Sequence, residues 1–400
     1  MHRHLHRARP SVYAFASEID AWWDNGKRSV DSETDSPRRR RGLALAFRAA
    51  AMLAAVVTAG SPLAQSNNLD SAQGQSANAR PRDPQAYELY LRGRQLLNRR
   101  AGARKAALPY LERAVARDPT FAPAQAALGE AYLRVANSAE PAEREQAWAD
   151  ADAAIRRALA LDDTLAAGHA TLGWLYLFRD WNWPMARAEL VRAIELDPTD
   201  PNVHSNYATY LRGAGRMDEA IKERRLARAA DPLRIDLTVW LGLEYLFARR
   251  YTEAIETFEQ ALELEPAYVP ALDGLADGLA RKGLYERAAA AQIRLFTVRG
   301  ATGLAAGFDD QYRREGYRAA AAWLDRRSIE EFSRRPDVNA WNLAFTYARL
   351  EEHDAALRWL GIAFEQHATG LLQIRVDPDL DCLRADPRFQ ALVARMGIWP

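Results

Sequence analysis

Gly215-Arg-Met-Asp-Glu-Ala220, Arg249-Arg-Tyr-Thr-Glu-Ala254 and Gly283-Leu-Tyr-Glu-Arg-Ala288 are three versions of one phrase, and their closing alanines stand 34 residues apart each time. Twelve residues before each alanine lies a small residue: Ala208, Gly242, Ala276. Seven residues after come Ala227, Ala261 and Leu295, and Pro232 and Pro266 follow the first two. Self-similarity at a fixed period of this size is the mark of a repeat array. Working outward, the frame with one extra residue in its inner turn finds Gly173, Ala186, Ala193 and Pro198. With two extra residues it finds Gly93, Ala107, Ala114 and Pro119, and with a much longer turn Gly129, Ala151 and Ala158. Downstream the original frame returns at Ala344, Ala356 and Ala363. Ala276 and Ala344 are two periods apart, so a worn unit is expected between them, around Gly316-Tyr317 and Ala320-Trp323-Leu324. Small side chains at these places let two helix backbones approach, and Tyr176, Tyr245, Phe258 and Leu360 are expected to fill the space beside them. Proline cannot continue a helix, so Pro198 and Pro266 drive the chain into the next unit.

This pattern resembles the tetratricopeptide repeat (TPR) family over residue 85 to about residue 366. The resemblance implies an all-α fold, a right-handed α-solenoid of about eight helix-pair units, seven recognisable and one worn. The tail Val376-Asp-Pro-Asp-Leu-Asp-Cys-Leu-Arg-Ala-Asp-Pro-Arg-Phe389, running on to Leu392, Met396 and Trp399, is similar to the closing segment of a bacterial subfamily of such proteins. There the repeats follow a cytoplasmic DNA-binding or kinase domain and one membrane helix. The Asp180-Trp-Asn-Trp183 turn recurs in that subfamily too. The last apolar helix is expected to cap the exposed end of the stack.

The chain divides into residues 1–28, 29–41, 42–64, 65–84 and 85–400. Lys and Arg number 54 against 53 Asp and Glu, a balance that excludes a strongly basic nucleic-acid binder spread over the chain. The 48% hydrophobic and 27% charged fractions exclude wholesale disorder. A single cysteine, Cys382, excludes an internal disulfide framework and any cysteine-rich zinc site. Charge is uneven: residues 1–48 hold ten Lys/Arg against six Asp/Glu, the remainder 44 against 47. Arg38 to Arg41 run straight into the apolar stretch Leu43 to Ala64. A bilayer span takes about 20 apolar residues, and this stretch reaches that length only with Arg48 inside it. Near a helix end such an arginine reaches the headgroups, at less than the roughly 2.5–3.5 kcal/mol of a mid-membrane charge. Residues 42–64 are read as a transmembrane helix touching lipid. The arginines place the N-terminus in the cytoplasm and the repeats in the periplasm of a bacterial inner membrane. A cleaved signal and a buried alanine-rich helix remain alternatives. Residues 65–84 form a flexible linker and 29–41 a basic one.

The head reads His-Arg-His-Leu-His6, then a strand-like Val12–Phe15, then Ser17 as the cap of a helix from Glu18 to Trp23. It is similar to the β-wing and following helix of the excisionase and MerR-like helix-turn-helix family. The expectation is a remnant of a longer domain, Met1 being a GTG codon within a longer frame. DNA is then a partner only where a longer N-terminus exists. Alternation puts His2, His4 and His6 on one strand face; a basic wing touching phosphate or solvent is preferred to a metal site.

No phosphate-cradling loop, nucleophile elbow or zinc-protease motif is present, so no enzyme, cofactor or metal is expected. Asp162-Asp163 and Asp309-Asp310 are read as solvated caps at inter-helix turns, and Cys382 as a passive thiol. What remains is binding by the first helices of the units, which line the concave face. The lining positions are Tyr87, Tyr90, Arg94, Glu130, Arg134, Trp174, Asn202, Arg212, Asp236, Asp273, Asp277, Arg281, Trp341 and Arg349, beside Ser205, Leu243 and Phe345. Phe178 and Phe247 fall on the same face or in the core between units. Mixed aromatic and charged residues suit a protein or peptide segment. The chaperone-tail version of the family holds a carboxylate with Lys and Asn. Its positions here carry Ala126, Ala170, Ser205 and Val239, then Glu130, Trp174, Thr209 and Leu243, so that ligand is not expected. Two functions follow: a membrane-anchored, non-enzymatic interaction scaffold, or a one-component transmembrane transcription regulator with the repeats as sensor.

Overall fold

A computed structural model of the protein describes residues 2–6, 9–13, 81–97, 105–136, 141–333 and 339–397. Strands β1 (His2–His6) and β2 (Arg9–Tyr13) form an antiparallel hairpin with His2 opposite Tyr13 and His6 opposite Arg9. The helix expected from Glu18, the basic linker, the apolar segment 42–64 and most of the linker after it lie outside the described residues. Among the described residues no helix is long and apolar enough to cross a membrane. The hairpin and the helices that follow fall in two separate compact units.

The second unit is a run of helix pairs, eight among the described residues. They are α1 (Pro84–Leu97) with α2 (Leu108–Arg117), α3 (Ala122–Ala136) with α4 (Pro141–Leu161), and α5 (Ala166–Phe178) with α6 (Trp183–Leu196). Then come α7 (Pro201–Gly213) with α8 (Met217–Ala230), α9 (Ile235–Phe247) with α10 (Tyr251–Leu264), and α11 (Val269–Arg281) with α12 (Tyr285–Val298). The worn unit is α13 (Thr302–Glu315) with α14 (Tyr317–Ser333), and α15 (Ala340–Arg349) with α16 (His353–Glu365) closes the series. Asp309 and Asp310 sit inside α13, not at a turn, where Arg313 and Arg314 pair with them one turn on.

The small residues of the repeat phrase are where helices touch. A Cβ added to Gly93 would stand 2.5 Å from Leu111, to Gly129 2.5 Å from Ile155, to Gly173 2.6 Å from Leu190, and to Gly242 2.6 Å from the Phe258 ring. Each glycine is on the first helix of a unit and each large partner on the second. The phrase also fixes the turn. Gly215, Arg249 and Gly283 all adopt positive φ (79°, 62° and 79°), ending the first helix in the left-handed conformation. The following N–H reaches back to Leu211, Tyr245 and Leu279 in turn, which closes the helix ends. Arg249 carries a side chain where Gly215 and Gly283 have none, as does Glu351 at the same place in the last unit (φ 59°).

The C-terminal segment departs from expectation. It does not only cover the end of the stack. Two 3-10 turns, Thr369–Gln373 and Pro378–Leu383, run along the inner face of the array before α17 (Pro387–Arg395) packs on α16. Leu371, Ile374, Leu380 and Leu383 are fully buried there. Arg249 donates to the Val376 carbonyl and pairs with Asp381 at 2.6 Å. Further on, the Trp183 indole donates to the Met396 carbonyl at 3.0 Å, and Trp181 stacks on His367 with centroids 4.3 Å apart. Removing these four aliphatic side chains from water contributes about 1.5–3 kcal/mol each to holding the segment there.

Candidate functional site

The first units present an aromatic corner. Tyr87 is exposed and stacks on Tyr90, whose ring meets Phe121 edge-on at 5.1 Å. One helical turn on, Arg94 reaches Glu130 at 2.9 Å, and Arg134 holds the other oxygen of the same carboxylate at 2.7 Å. Burial works against that carboxylate, yet the Arg134 and Arg94 charges hold Glu130 below the usual range. Arg134 also lies over the Trp174 ring at 5.2 Å, and Trp174 meets Phe178 edge-on at 5.3 Å.

Next comes a buried cluster that the repeat frame only half foresees. Arg212 on α7 and Arg224 on α8 both donate to one oxygen of Glu244 on α9, at 3.0 and 2.9 Å. Glu244 is 0% exposed, Arg224 1% and Arg212 4%. Arg224 further donates to Ser205 and, at 3.2 Å, to Thr209. Both guanidinium groups lie over the Trp240 ring, at 5.1 and 5.5 Å. Beside them Arg234 joins Asn202 at 2.8 Å and Asp236 at 3.0 Å. Together with the turn Thr369–Gln373 these groups wall a cavity of about 270 Å³.

The other half of the inner face is acidic. Asp379 of the C-terminal segment is shared between Arg281 on α11 (2.6 Å) and Arg349 on α15 (3.2 Å). Arg281 also holds Asp277 at 2.8 Å, and Arg349 holds Asp325 on α14. Burial first, then the nearby Asp379 charge, pushes the Asp277 and Asp377 carboxyls well above the usual range, although Arg281 opposes both. Asp277 keeps about two-fifths of its side chain open to the cleft (42% exposed), so the upward push from burial is moderated there by solvent. An open cleft of about 700 Å³ adjoins the cluster between α11 and α14, with Asp273, Tyr285, Tyr317, Phe345 and Leu243 in its walls.

Of the lining positions read from sequence, the fold gathers Arg134, Trp174, Asn202, Arg212 and Asp236 around the smaller cavity, with Phe178 and Ser205. It gathers Asp273, Asp277, Arg281 and Arg349 around the larger one. Tyr87 and Tyr90 stand apart in the first unit. Trp341 is a correction: it is buried in the terminal core with its indole against Gly370, where an added Cβ would lie 2.4 Å from the ring. Phe247 likewise is core. Residues missed by the frame are Arg224, Arg234, Trp240, Glu244, Asp325 and Asp379. Glu244 carried a signal, being the only charge in Leu241-Gly-Leu-Glu-Tyr-Leu-Phe247. Among the described residues no cluster could hold a metal ion.

Residues 236–268 match the tetratricopeptide repeat family, so the chain carries that repeat across α9 and α10. Over 98 residues it is 30% identical to the Hsp70-Hsp90 organizing protein 2 of Arabidopsis thaliana, which covers 24% of this chain and 17% of the relative. Over 85 residues it is 33% identical to the small glutamine-rich tetratricopeptide repeat-containing protein 2 of Mycosarcoma maydis, 21% of this chain and 24% of the relative. The chain thus spans about a fifth of the length of these curated relatives. Among solved structures, the human IFIT1 dimer aligns with a TM-score of 0.45 at 16% identity, covering 71% of this chain and 73% of that one.

Proposed function

We propose that the protein is a non-enzymatic interaction scaffold whose partner is a protein segment bearing a basic residue beside an apolar one. The observation that carries this reading is the cleft between α11 and α14. Its walls combine Tyr285, Tyr317 and Phe345 with the carboxylates of Asp273 and Asp277. Among the described residues, the cleft walls carry four carboxyls (Asp273, Asp277, Asp325, Asp379) against three arginines (Arg281, Arg318, Arg349), and the ion pairs of Arg281 and Arg349 leave Asp273 without an arginine partner, so a further cation entering the cleft is favoured. Aromatic walls supply apolar area for the flanking residue. The sequence likeness to proteins named as Hsp70-Hsp90 organizers supports a scaffold class, while the missing Lys and Asn positions argue against a chaperone tail as ligand. Residues 42–64 supply a single-pass anchor in a bacterial inner membrane, with the array on the periplasmic side, on the strength of Arg38 to Arg41 and the apolar run after them. The hairpin β1–β2 favours a second reading, a transmembrane regulator with a DNA-binding head and the array as its sensor.

The test is affinity capture from membranes with residues 75–400 as bait, beside an Asp273→Arg variant. Asp273 is exposed, so the reversal leaves the fold intact. Loss of the captured protein from the variant supports the cleft as the docking place. Identical capture removes the cleft from the function.

A further inference from the structure

Two arginines buried in the array share one carboxylate, and their surroundings are built to take another. Arg212 and Arg224 both use the same oxygen of Glu244. The Nε–H of each is buried with no acceptor, and so is the indole N–H of Trp174 in the cavity wall; the second oxygen of Glu244 is likewise buried without a donor, turned away from both guanidinium groups. The other carboxylate on the cavity wall, Asp236, is engaged by Arg234. Burial, with Arg212's repulsion added, pulls the Arg224 guanidinium below its ordinary value, and Glu244 offsets only part of this. Buried guanidinium groups without a full set of acceptors are costly, and a planar carboxylate matches their fork of donors.

We propose that the cavity of about 270 Å³ between α5, α7, α9 and the turn Thr369–Gln373 binds a small free organic acid, of amino-acid or dicarboxylic-acid size, through Arg212 and Arg224. The carboxylate lies against the guanidinium pair. Trp174 and Trp240 flank its carbon skeleton, and Asn206 and Gln373 meet a polar group at the other end. The array's own C-terminal segment forms one wall, which favours a free acid over the end of a longer chain. This site is independent of the acidic cleft: it has opposite charge and different walls.

The full chain is titrated by calorimetry and thermal shift with L-amino acids, 2-oxo acids and four- to six-carbon dicarboxylates. Phosphate, sulfate and a tripeptide with a free C-terminus serve as comparisons. The expected result is one-to-one binding of at least one free acid with a Kd of about 1 mM or tighter. Arg212→Gln weakens it by about 10- to 100-fold. Should Arg212→Gln fail to fold, Asn206→Asp decides. It adds a negative charge at the half-buried rim without touching the ion cluster, and it is expected to weaken the same acid by about tenfold or more. The proposal is overturned if no acid in the panel binds, or if phosphate or sulfate bind as tightly as the acids. Preference for the tripeptide over every free acid overturns it too, as does unchanged binding in a folded Arg212→Gln or in Asn206→Asp.

Discussion

Gly242→Ala adds one methyl group at a tight crossing of the repeat phrase. The new Cβ would stand 2.6 Å from Cε1 of Phe258, 2.8 Å from Cδ1 and 2.9 Å from Cζ. The ring cannot retreat. It is 0% exposed, and Gly274 of the next unit presses its other side, where an added Cβ would lie 2.4 Å away. Helix α9 must therefore move off α10. Overpacking of this kind costs about 1–3 kcal/mol, while replacing glycine within a helix returns about 1 kcal/mol. The expected net loss is about 0–2 kcal/mol for alanine and about 2–4 kcal/mol for leucine. Urea unfolding followed by circular dichroism measures it, with Gly361→Ala as the reference. Gly361 lies in α16 with nothing within 4 Å of its added Cβ, so that change should stabilise by about 0.5–1 kcal/mol. A Phe258→Leu background should abolish most of the Gly242→Ala penalty. If Gly242→Ala proves as stabilising as Gly361→Ala, small residues are not what sets the helix spacing here.

Arg249→Gly should relax a positive φ, worth about 1 kcal/mol, yet cut the bonds to Val376 and Asp381. Hydrogen exchange should therefore speed up at 376–383 in Arg249→Gly and Arg249→Ala alike, with the glycine variant the more stable of the two. His204 is buried with Nδ1 2.7 Å from Glu223 and Nε2 2.8 Å from the Pro198 carbonyl, and the Glu223 bond chiefly raises its pKa above 6.5. Its stabilisation is complete below about pH 6.5 and is lost as pH rises through the raised value, so His204→Gln should flatten the stability profile between about pH 6 and 8. A reporter fused after Ala79 should be active only if it is one that works outside the cytoplasm; activity of a cytoplasmic reporter alone would reject the proposed orientation.

The spacing of small residues made the helix pairs legible because close approach is a local demand: Gly242 must be small wherever the chain goes next. The same frame points to Asp273, Arg212 and Arg281, which stand in the walls of the two cavities. It could not assign their partners. Arg224 belongs to a second helix, which the frame assigns outward, and reaches through to Glu244 because its long side chain spans the gap between layers. Trp341 occupies a first-helix position like Trp174, yet only the course of the C-terminal segment, which brings Gly370 over its ring, makes it core. That course has no local signature. Asp377, Asp379 and Asp381 read alone as capping acids. Arg249 and Glu351 both hold the positive-φ place that glycine takes in the other phrases, and of the two Arg249 is the one that reaches the C-terminal segment.

Arginines recur at the ends of first helices: Arg94, Arg134, Arg212, Arg281 and Arg349 each lie in a last turn. A cation there is favoured by the helix dipole, and stacking the units stacks these charges along one wall. Such a ladder repels itself unless acids are interleaved. Glu130 serves the first two arginines and Glu244 the third, while Asp379 is brought in from the chain end for the last two. Asp379→Asn keeps the shape and removes that charge. Arg281 then relies on Asp277 and Arg349 on Asp325, and the anchoring of the 3-10 turn is lost. With Asp379 largely enclosed, the loss should be about 1–3 kcal/mol. Asp381→Asn touches a half-exposed carboxylate already shared by Arg249 and Arg384 and should cost about 0–1 kcal/mol. High salt should narrow the Asp381 effect and leave most of the Asp379 effect in place. Equal losses from the two substitutions, or an Asp379 effect erased by salt, would mean that the chain end is held by its apolar contacts alone and that the ladder needs no acid from it.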